Sequence, residues 1–296
     1  MNKILYIIVG PTAVGKTESA INLANKLKTE IVSADSRQIF QQMNIGVARP
    51  SVEELKKAKH HLIASWSIFY DYNVARYEKE GMQIINNLFQ KYDSLILCGG
   101  SGLYVDAIRK GIDYLPDIPI EVRQELNNIY KHQGIIPLQK ELEEKDKDYY
   151  DIVDTKNPRR LIRALEVIRV SNRPYSYFRK MKPIERDFSI KTIGIERNRD
   201  ELIERINKRV DIMIDCGLIE EAKSLYKYKD LNALNTVGYK ELFDCFDNKI
   251  SLEEAIEQIK IHTRQFAKRQ MTYFKKNTNT LWFNLSNKDI DIIDYI

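Results

Sequence analysis

Residues 10–17, Gly10-Pro11-Thr12-Ala13-Val14-Gly15-Lys16-Thr17, restrict what this chain can become more than any other stretch. They satisfy the P-loop pattern G-x-x-x-x-G-K-[ST] at every fixed position, a loop whose backbone N–H groups cradle phosphates. The flanks suit it. Ile4, Leu5, Tyr6, Ile7, Ile8 and Val9 fill an apolar run over residues 3–9 that reads as a buried parallel strand. Beyond the loop, Ala20, Ile21, Leu23, Ala24 and Leu27 recur at helical spacing over 18–27. Strand, glycine loop and helix together aim a helix N-terminus at an anion. The pattern fixes a phosphate site and leaves open which phosphate compound fills it.

Further strands are predicted at 30–34, 61–65, 94–98, 188–195 and 280–283. Helices are predicted at 52–60, with Ser51 and Glu54 forming a capping box, and at 74–91 and 103–110. Two strands end in turns on the rim expected to bear the P-loop: Asp35-Ser36-Arg37-Gln38 after the second, Gly99-Gly100-Ser101-Gly102 after the strand 94–98. Pro116 and Pro119 mark a linker over 113–119. Helices without convincing strands follow at 120–132, 137–145, near Tyr149 and at 159–170, where Asn157 and Pro158 would start the helix. More helices are expected at 199–216, 218–228, 239–246 and 252–274, with Gly217 breaking the first pair. The fold class is therefore α/β: a P-loop NTPase-like parallel sheet flanked by helices, with an α-helical insertion domain. The expected division is 1–112 with 187–296 for the core, and 113–186 for the insertion.

Composition matters chiefly through where charge lies. The net charge is only +5, yet residues 157–186 hold nine Lys/Arg against Glu166 and Glu185, a net +7. Those nine are Arg159, Arg160, Arg163, Arg169, Arg173, Arg179, Lys180, Lys182 and Arg186. Residues 262–276 add a further +5 without an acid, leaving the rest of the chain at −7. Such segregation suggests a polyanionic partner, with a solvated helix face as the alternative. Cys98, Cys216 and Cys245 show neither disulfide nor zinc spacing, and the four histidines do not cluster. No apolar run approaches a membrane span, and no signal peptide is expected. These features lead to the expectation of a cytosolic, monomeric protein with no membrane association.

Lys16 is the cation for an outer phosphate, and Thr17 offers the hydroxyl that usually touches Mg²⁺. Thr12 could face the ligand or cap its own turn. Asp35 could act as a general base, as a helix N-cap, or as a water-mediated magnesium ligand. The strand before Gly99 lacks the acid that ATPases place there, which argues against an ordinary ATPase. Arg199 and Arg205 could clamp a departing phosphate or pair with Glu201 and Glu204 at the surface. From Arg264 onward, Gln265, Phe266, Lys268, Arg269, Gln270, Tyr273 and Phe274 mix cations, amides and rings on one helix. Such a mixture suits phosphates and unstacked bases, or an amphipathic core helix with a basic outer face.

Taken in order, these motifs resemble those of the bacterial tRNA dimethylallyltransferases. The matching stretches are residues 10–17, 33–40 (SADSRQIF), 43–50 (MNIGVARP), 99–104 (GGSGLY), 157–166 (NPRRLIRALE), 237–240 (VGYK) and 263–270 (TRQFAKRQ). The resemblance implies transfer of a dimethylallyl group from its pyrophosphate to N6 of the adenosine 3′ of the anticodon in tRNA, releasing pyrophosphate. Residues 10–17 and Arg199 would then hold pyrophosphate with Mg²⁺ at Thr17, and Asp35 would take the amine proton. Ser101 would be a second catalytic residue; it stands where the family usually has threonine, so its polar contact is expected to persist. The tRNA anticodon stem-loop would meet Asp35, Ser36, Arg37, Gln38, Ser101 and Arg123. It would also meet Arg159, Arg160, Leu161, Ile162, Arg163, Val237, Gly238, Tyr239, Lys240, Arg264, Gln265, Lys268 and Arg269. Competing readings are a small-molecule kinase, an adenylate isopentenyltransferase and a non-catalytic RNA-binding protein. The basic segments disfavour a small acceptor, and Asp35 together with Lys16 disfavours a mere binder. The nucleotide-binding motif would thus hold pyrophosphate rather than ATP during turnover.

Overall fold

The computed structural model describes residues 3–179 and 184–287; Lys180 and Lys182 of the basic stretch, and the expected C-terminal span 288–296, lie outside these. The described residues fall into two compact units, one drawn from 3–109 and 186–287, the other from 110–185. The boundaries expected from sequence, 112/113 and 186/187, differ from these by at most three residues.

The first unit is built on a six-stranded parallel sheet. Its strands are β1 (Ile4–Val9), β2 (Ile31–Ser33), β3 (His60–His61), β4 (Ser94–Cys98), β5 (Ser189–Glu196) and β6 (Thr280–Asn284), in the spatial order β3-β2-β4-β1-β5-β6. Helices α1 (Lys16–Leu27), α2 (Val52–Lys57), α3 (Val74–Leu88) and α4 (Gly102–Lys110) connect the first strands. Alternation explains why β1 is apolar throughout. Leu5, Ile7 and Val9 enter one core with Leu95 and Leu97, while Tyr6 and Ile8 enter a second with Ile31, Ile96, Ile193 and Ile195. A sheet covered on both faces needs apolar residues at odd and even positions alike. Each fully buried leucine or isoleucine contributes about 1.5–3 kcal/mol. Ser51 caps α2 as expected, its hydroxyl accepting from the Glu54 N–H at 3.2 Å. That helix stops at Lys57, short of residue 60, and the edge strand is His60–His61 rather than 61–65. Ala58, next in line, takes an extended backbone that feeds β3 directly.

The second unit holds α5 (Ile120–Gln133), α6 (Ile136–Lys145), α7 (Lys147–Tyr150), α8 (Pro158–Ser171) and α9 (Tyr175–Phe178), with no strand among its described residues. Leu126, Leu138, Leu142, Tyr149, Leu161, Leu165 and Ile168 form its core. Helix α9 escaped the sequence reading. One turn long, it is held by Asp146, which is 4% exposed and accepts from Ser176 N at 2.7 Å and Ser176 Oγ at 2.8 Å. Asn157 caps α8 by accepting the Arg160 N–H at 3.4 Å, with Pro158 in the first turn.

Helices α10 (Arg199–Asp215), α11 (Leu218–Leu225), α12 (Tyr239–Phe246) and α13 (Leu252–Phe274) complete the first unit. The α10–α11 break falls at Gly217, whose φ of +97° suits glycine. Glu221 of α11 fastens the loop that follows β2: its carboxylate accepts the N–H groups of Asn44 (3.1 Å), Ile45 (2.9 Å) and Gly46 (3.0 Å), and the Tyr239 hydroxyl at 2.6 Å. Gly46 is required there, since a Cβ would lie 2.6 Å from the Tyr239 ring. Removing this carboxylate strands three backbone donors and a buried phenol. Glu221→Ala is therefore expected to lose about 2–4 kcal/mol, read as a lower midpoint in urea unfolding at unchanged slope.

Candidate active site

Parallel strands deliver their C-terminal ends to one rim, and register decides which residues meet there. Val9 pairs with Gly194, Ile8 with Cys98, and Ser33 with Cys98 from the other side. The P-loop, the Asp35 turn and the Ser101 turn therefore emerge side by side. Gly10 (φ +153°) admits the close passage of β5, because a Cβ would stand 2.4 Å from the Ile195 carbonyl. Gly99 does the same for β2, where a Cβ would stand 2.1 Å from the Ala34 carbonyl. The loop apex is anchored by packing: Ala13, at φ +64°, is buried against Ile206 of α10 and Ala267 of α13.

Cations converge on that loop. Lys16 Nζ donates to the Pro11 carbonyl at 2.7 Å, folded back across the loop. Desolvation lowers its pKa to about 8; nearby Arg209 adds to this, while Cys98 and Asp35 oppose it. Arg205 Nε donates to the Ala13 carbonyl at 2.8 Å and Arg197 Nε to the Val14 carbonyl at 2.9 Å. Arg209 donates to the Thr12 hydroxyl at 3.4 Å. Burial and the neighbouring Arg205 both hold the Arg209 guanidinium below its ordinary pKa. Crowded cations at a helix N-terminus are what an anion relieves. Arg199, expected here from sequence, is exposed on the first turn of α10 and makes no hydrogen bond to the loop among the described residues. Arg205, weighed from sequence as a phosphate clamp, does reach the loop, as do Arg209 on the same helix and Arg197 just before it, neither of which the sequence singled out. Cys98 Sγ lies 3.7 Å from the Lys16 carbonyl, and burial pushes its thiol up to about 12, so it stays neutral.

Beside the loop lies a carboxylate. Asp35 Oδ1 accepts the N–H groups of Arg37 (2.8 Å) and Gln38 (3.1 Å), which pins a turn; the helix N-cap role weighed from sequence does not apply, since no helix begins there. Among the described residues Oδ2 has no hydrogen-bond partner. Ser101 Oγ accepts from Ser36 N at 2.9 Å and meets Ser36 Oγ at 3.1 Å, tying the two turns together. Behind them Tyr77 and Tyr104 stack at 3.9 Å, and Tyr77 donates to the Ser33 carbonyl at 3.0 Å. Tyr77 reads from sequence only as a helix core position; its hydroxyl is what fixes the strand leading to Asp35.

Helix α13 closes the arrangement. Gln270, on a helix that the sequence allows as either a phosphate and base surface or an amphipathic core helix, is 6% exposed and faces inward. Its Oε1 accepts the Thr12 N–H at 2.8 Å and its Nε2 donates to the Gly100 carbonyl at 2.9 Å. Tyr273 covers Gly102, where a Cβ would lie 2.3 Å from the ring, and donates to Asp106 at 2.7 Å. The opposite flank exposes Gln265, Lys268 and Arg269, while half-buried Arg264 bonds Asn207 and Glu257.

Several residues expected to touch tRNA point elsewhere. Leu161 and Ile162 are 0% and 8% exposed in the helical unit's core, as an amphipathic α8 requires. Tyr239 is fully buried on Glu221 and Gly238 is buried beside it; of that motif Lys240 is exposed and Val237 half-buried. Arg37 is occupied inside the fold, donating to the carbonyls of Asn232 (2.9 Å), Ala233 (3.1 Å) and Asn235 (3.3 Å). Gln38 likewise donates to the carbonyls of Val47 and Ala48. Arg123 and Arg163 both bond Glu166, at 2.7 and 3.0 Å, whereas Arg159 and Arg160 are exposed. Among the described residues no helix is long and apolar enough to cross a membrane.

The donor set also bears on a metal. Among the described residues no group of three or more His, Cys, Asp or Glu is arranged so that it could hold a metal ion. Thr17, opening α1, sets a hard oxygen donor beside the cradle, which fits Mg²⁺ carried mainly by phosphate oxygens and water.

The family model described as IPP transferase matches residues 38–277. The tRNA dimethylallyltransferase of Flavobacterium johnsoniae is 50% identical over 300 residues, spanning 99% of this chain and 97% of that protein. The tRNA dimethylallyltransferase of Christiangramia forsetii is 48% identical over 296 residues, spanning 100% and 98% respectively. Among solved structures, the full-length tRNA isopentenylpyrophosphate transferase of Bacillus halodurans superposes with a TM-score of 0.72. Its sequence identity is 34%, and the match covers 100% of this chain and 93% of that one. With a family match over most of its length and relatives near half identity from end to end, the chain belongs to the IPP transferase family.

Proposed function

We propose that this protein transfers a dimethylallyl group from dimethylallyl pyrophosphate to N6 of the adenosine 3′ of the anticodon in tRNA. The observation that carries the reading is the juxtaposition on one sheet rim of a cation-crowded P-loop with Asp35, tethered through Ser36 to Ser101. The amine nitrogen attacks C1 of the dimethylallyl group as the C1–O bond breaks, and pyrophosphate leaves. Asp35 takes the N6 proton through Oδ2, while Oδ1 stays anchored to the turn. Lys16, released from the Pro11 carbonyl, and the arginines at the loop stabilise the charge developing on the leaving oxygen. Mg²⁺, held by Thr17 and the phosphate oxygens, would supply further charge neutralisation when bound. The exposed cations Arg159, Arg160, Lys268 and Arg269 supply phosphate contacts that offset the few kcal/mol of unstacking a base.

The direct test is incubation with labelled dimethylallyl pyrophosphate or labelled ATP, in the presence of unmodified tRNA or AMP. Label is expected on tRNA from the prenyl donor; transfer from ATP, or onto AMP alone, overturns the reading. Asp35→Asn is expected to lower the single-turnover rate by about 10²–10⁴-fold while tRNA affinity stays within a few-fold. Lys16 is protonated below its pKa of about 8. The ratio of wild-type to Lys16→Met affinity for inorganic pyrophosphate should therefore hold steady below pH 8 and fall as pH rises above it. Charge reversal at Arg159 and Arg160 should reduce tRNA affinity and flatten its dependence on salt; an unchanged salt slope would remove the helical unit from the tRNA surface.

A further inference from the structure

Two halves of the proposed chemistry sit on different loops. The P-loop carries the groups for the diphosphate, and the turn after β4 carries Ser101, bonded to Ser36 beside Asp35. Nothing in the backbone ladder fixes the P-loop apex against the Gly100 peptide, since both lie beyond the paired residues Ile8 and Cys98. One side chain spans the gap. Gln270 accepts the Thr12 N–H at 2.8 Å and donates to the Gly100 carbonyl at 2.9 Å, and it is 6% exposed. The fit is tight: a Cβ on Gly100 would lie 2.3 Å from Gln270 Nε2 and 3.9 Å from Lys16 Nζ. The carboxamide therefore packs against the peptide that faces the Lys16 ammonium. Only a group presenting an acceptor and a donor on one planar end satisfies both partners at once.

We infer that Gln270 is a positioning residue that sets the spacing between the diphosphate end and the acceptor end of the site. The inference rests on the proposed prenyl transfer and adds to it a role for α13. The same helix presents Gln265, Lys268 and Arg269 outward, so a ligand drawn to that flank bears on both glycine turns through Gln270. Gln270 touches no reacting atom in this account; it acts by holding Thr12 and Gly100.

The test uses the full-length protein and the variants Gln270→Ala and Gln270→Glu. Hydrogen exchange at the Thr12 amide reads the bridge without reference to turnover, and Gln270→Ala should exchange at least tenfold faster. Its single-turnover rate with both substrates saturating should fall tenfold or more, while inorganic pyrophosphate and tRNA each bind within threefold of wild type. In Gln270→Glu a protonated carboxyl can still donate to the Gly100 carbonyl, whereas a carboxylate cannot. Burial raises a carboxyl at this position above its usual range. The rate relative to wild type should therefore climb as pH falls from 7 to 5 while the urea unfolding midpoint relative to wild type stays level, a combination that a purely structural defect would not give. Should Gln270→Ala fail to fold, this pH ratio decides the matter. Unchanged Thr12 exchange, a rate within twofold of wild type, or a flat pH ratio overturns the inference. A wild-type protein that transfers no label to tRNA defeats the functional reading instead, and the exchange measurement still judges the bridge.

Discussion

The site depends on how closely three backbones approach one another at the rim of a parallel sheet. Two glycines make that approach possible. At Gly10 and Gly99 a single methyl group would fall within 2.4 and 2.1 Å of a neighbouring carbonyl oxygen. Those are backbone contacts, so no side-chain rotation relieves them. Because the strands meet this tightly, the cationic loop and the Asp35 carboxylate share one small volume. The lowered pKa of Lys16 reports the same crowding. Desolvation that destabilises an isolated ammonium also strengthens its attraction to an anion once one arrives.

Much of this was legible in the sequence, and the reasons are specific. β1 and β4 were readable because strands buried on both faces are apolar throughout, and the loop because its glycines and lysine have fixed spacing. Asp35 and Ser101 could be placed on one rim from topology alone, as both follow strands of an α/β sheet. Side-chain direction within a motif was not readable. A motif residue can serve the core, as Leu161 and Tyr239 do, or hold a loop, as Arg37 does. In a linear string these look the same as a residue aimed at a ligand. Gln270 shows the ambiguity most clearly: flanked by cations and rings, it suits a base contact or a core face alike, and helical geometry turns it inward between two glycine turns. Arg197 was invisible for a different reason. It leaves the end of β5 rather than lying on α10, so no helical periodicity singles it out.

Charge on the helical unit is less exposed than its composition suggests. Arg169 is bound to Glu141 at 2.6 Å and to Glu125 at 2.9 Å, and Arg123 and Arg163 converge on Glu166, which is 3% exposed. Glu166 is the buried charge among these groups, and Arg123 and Arg163 compensate it, so losing both would leave an unpaired carboxylate inside the bundle. The free electrostatic footprint of α8 narrows to Arg159 and Arg160 at its start, where Asn157 and Pro158 set the direction of the first turn.

The helical unit also closes its own neck. Ile184 N donates to the Lys110 carbonyl at 2.9 Å, and Gly111 packs under the Ile184 side chain. Seventy-odd residues thus begin and end at one hydrogen-bonded point. A segment with adjoining ends behaves as a graft: it can lengthen, shorten or be exchanged without altering the strand order of its host.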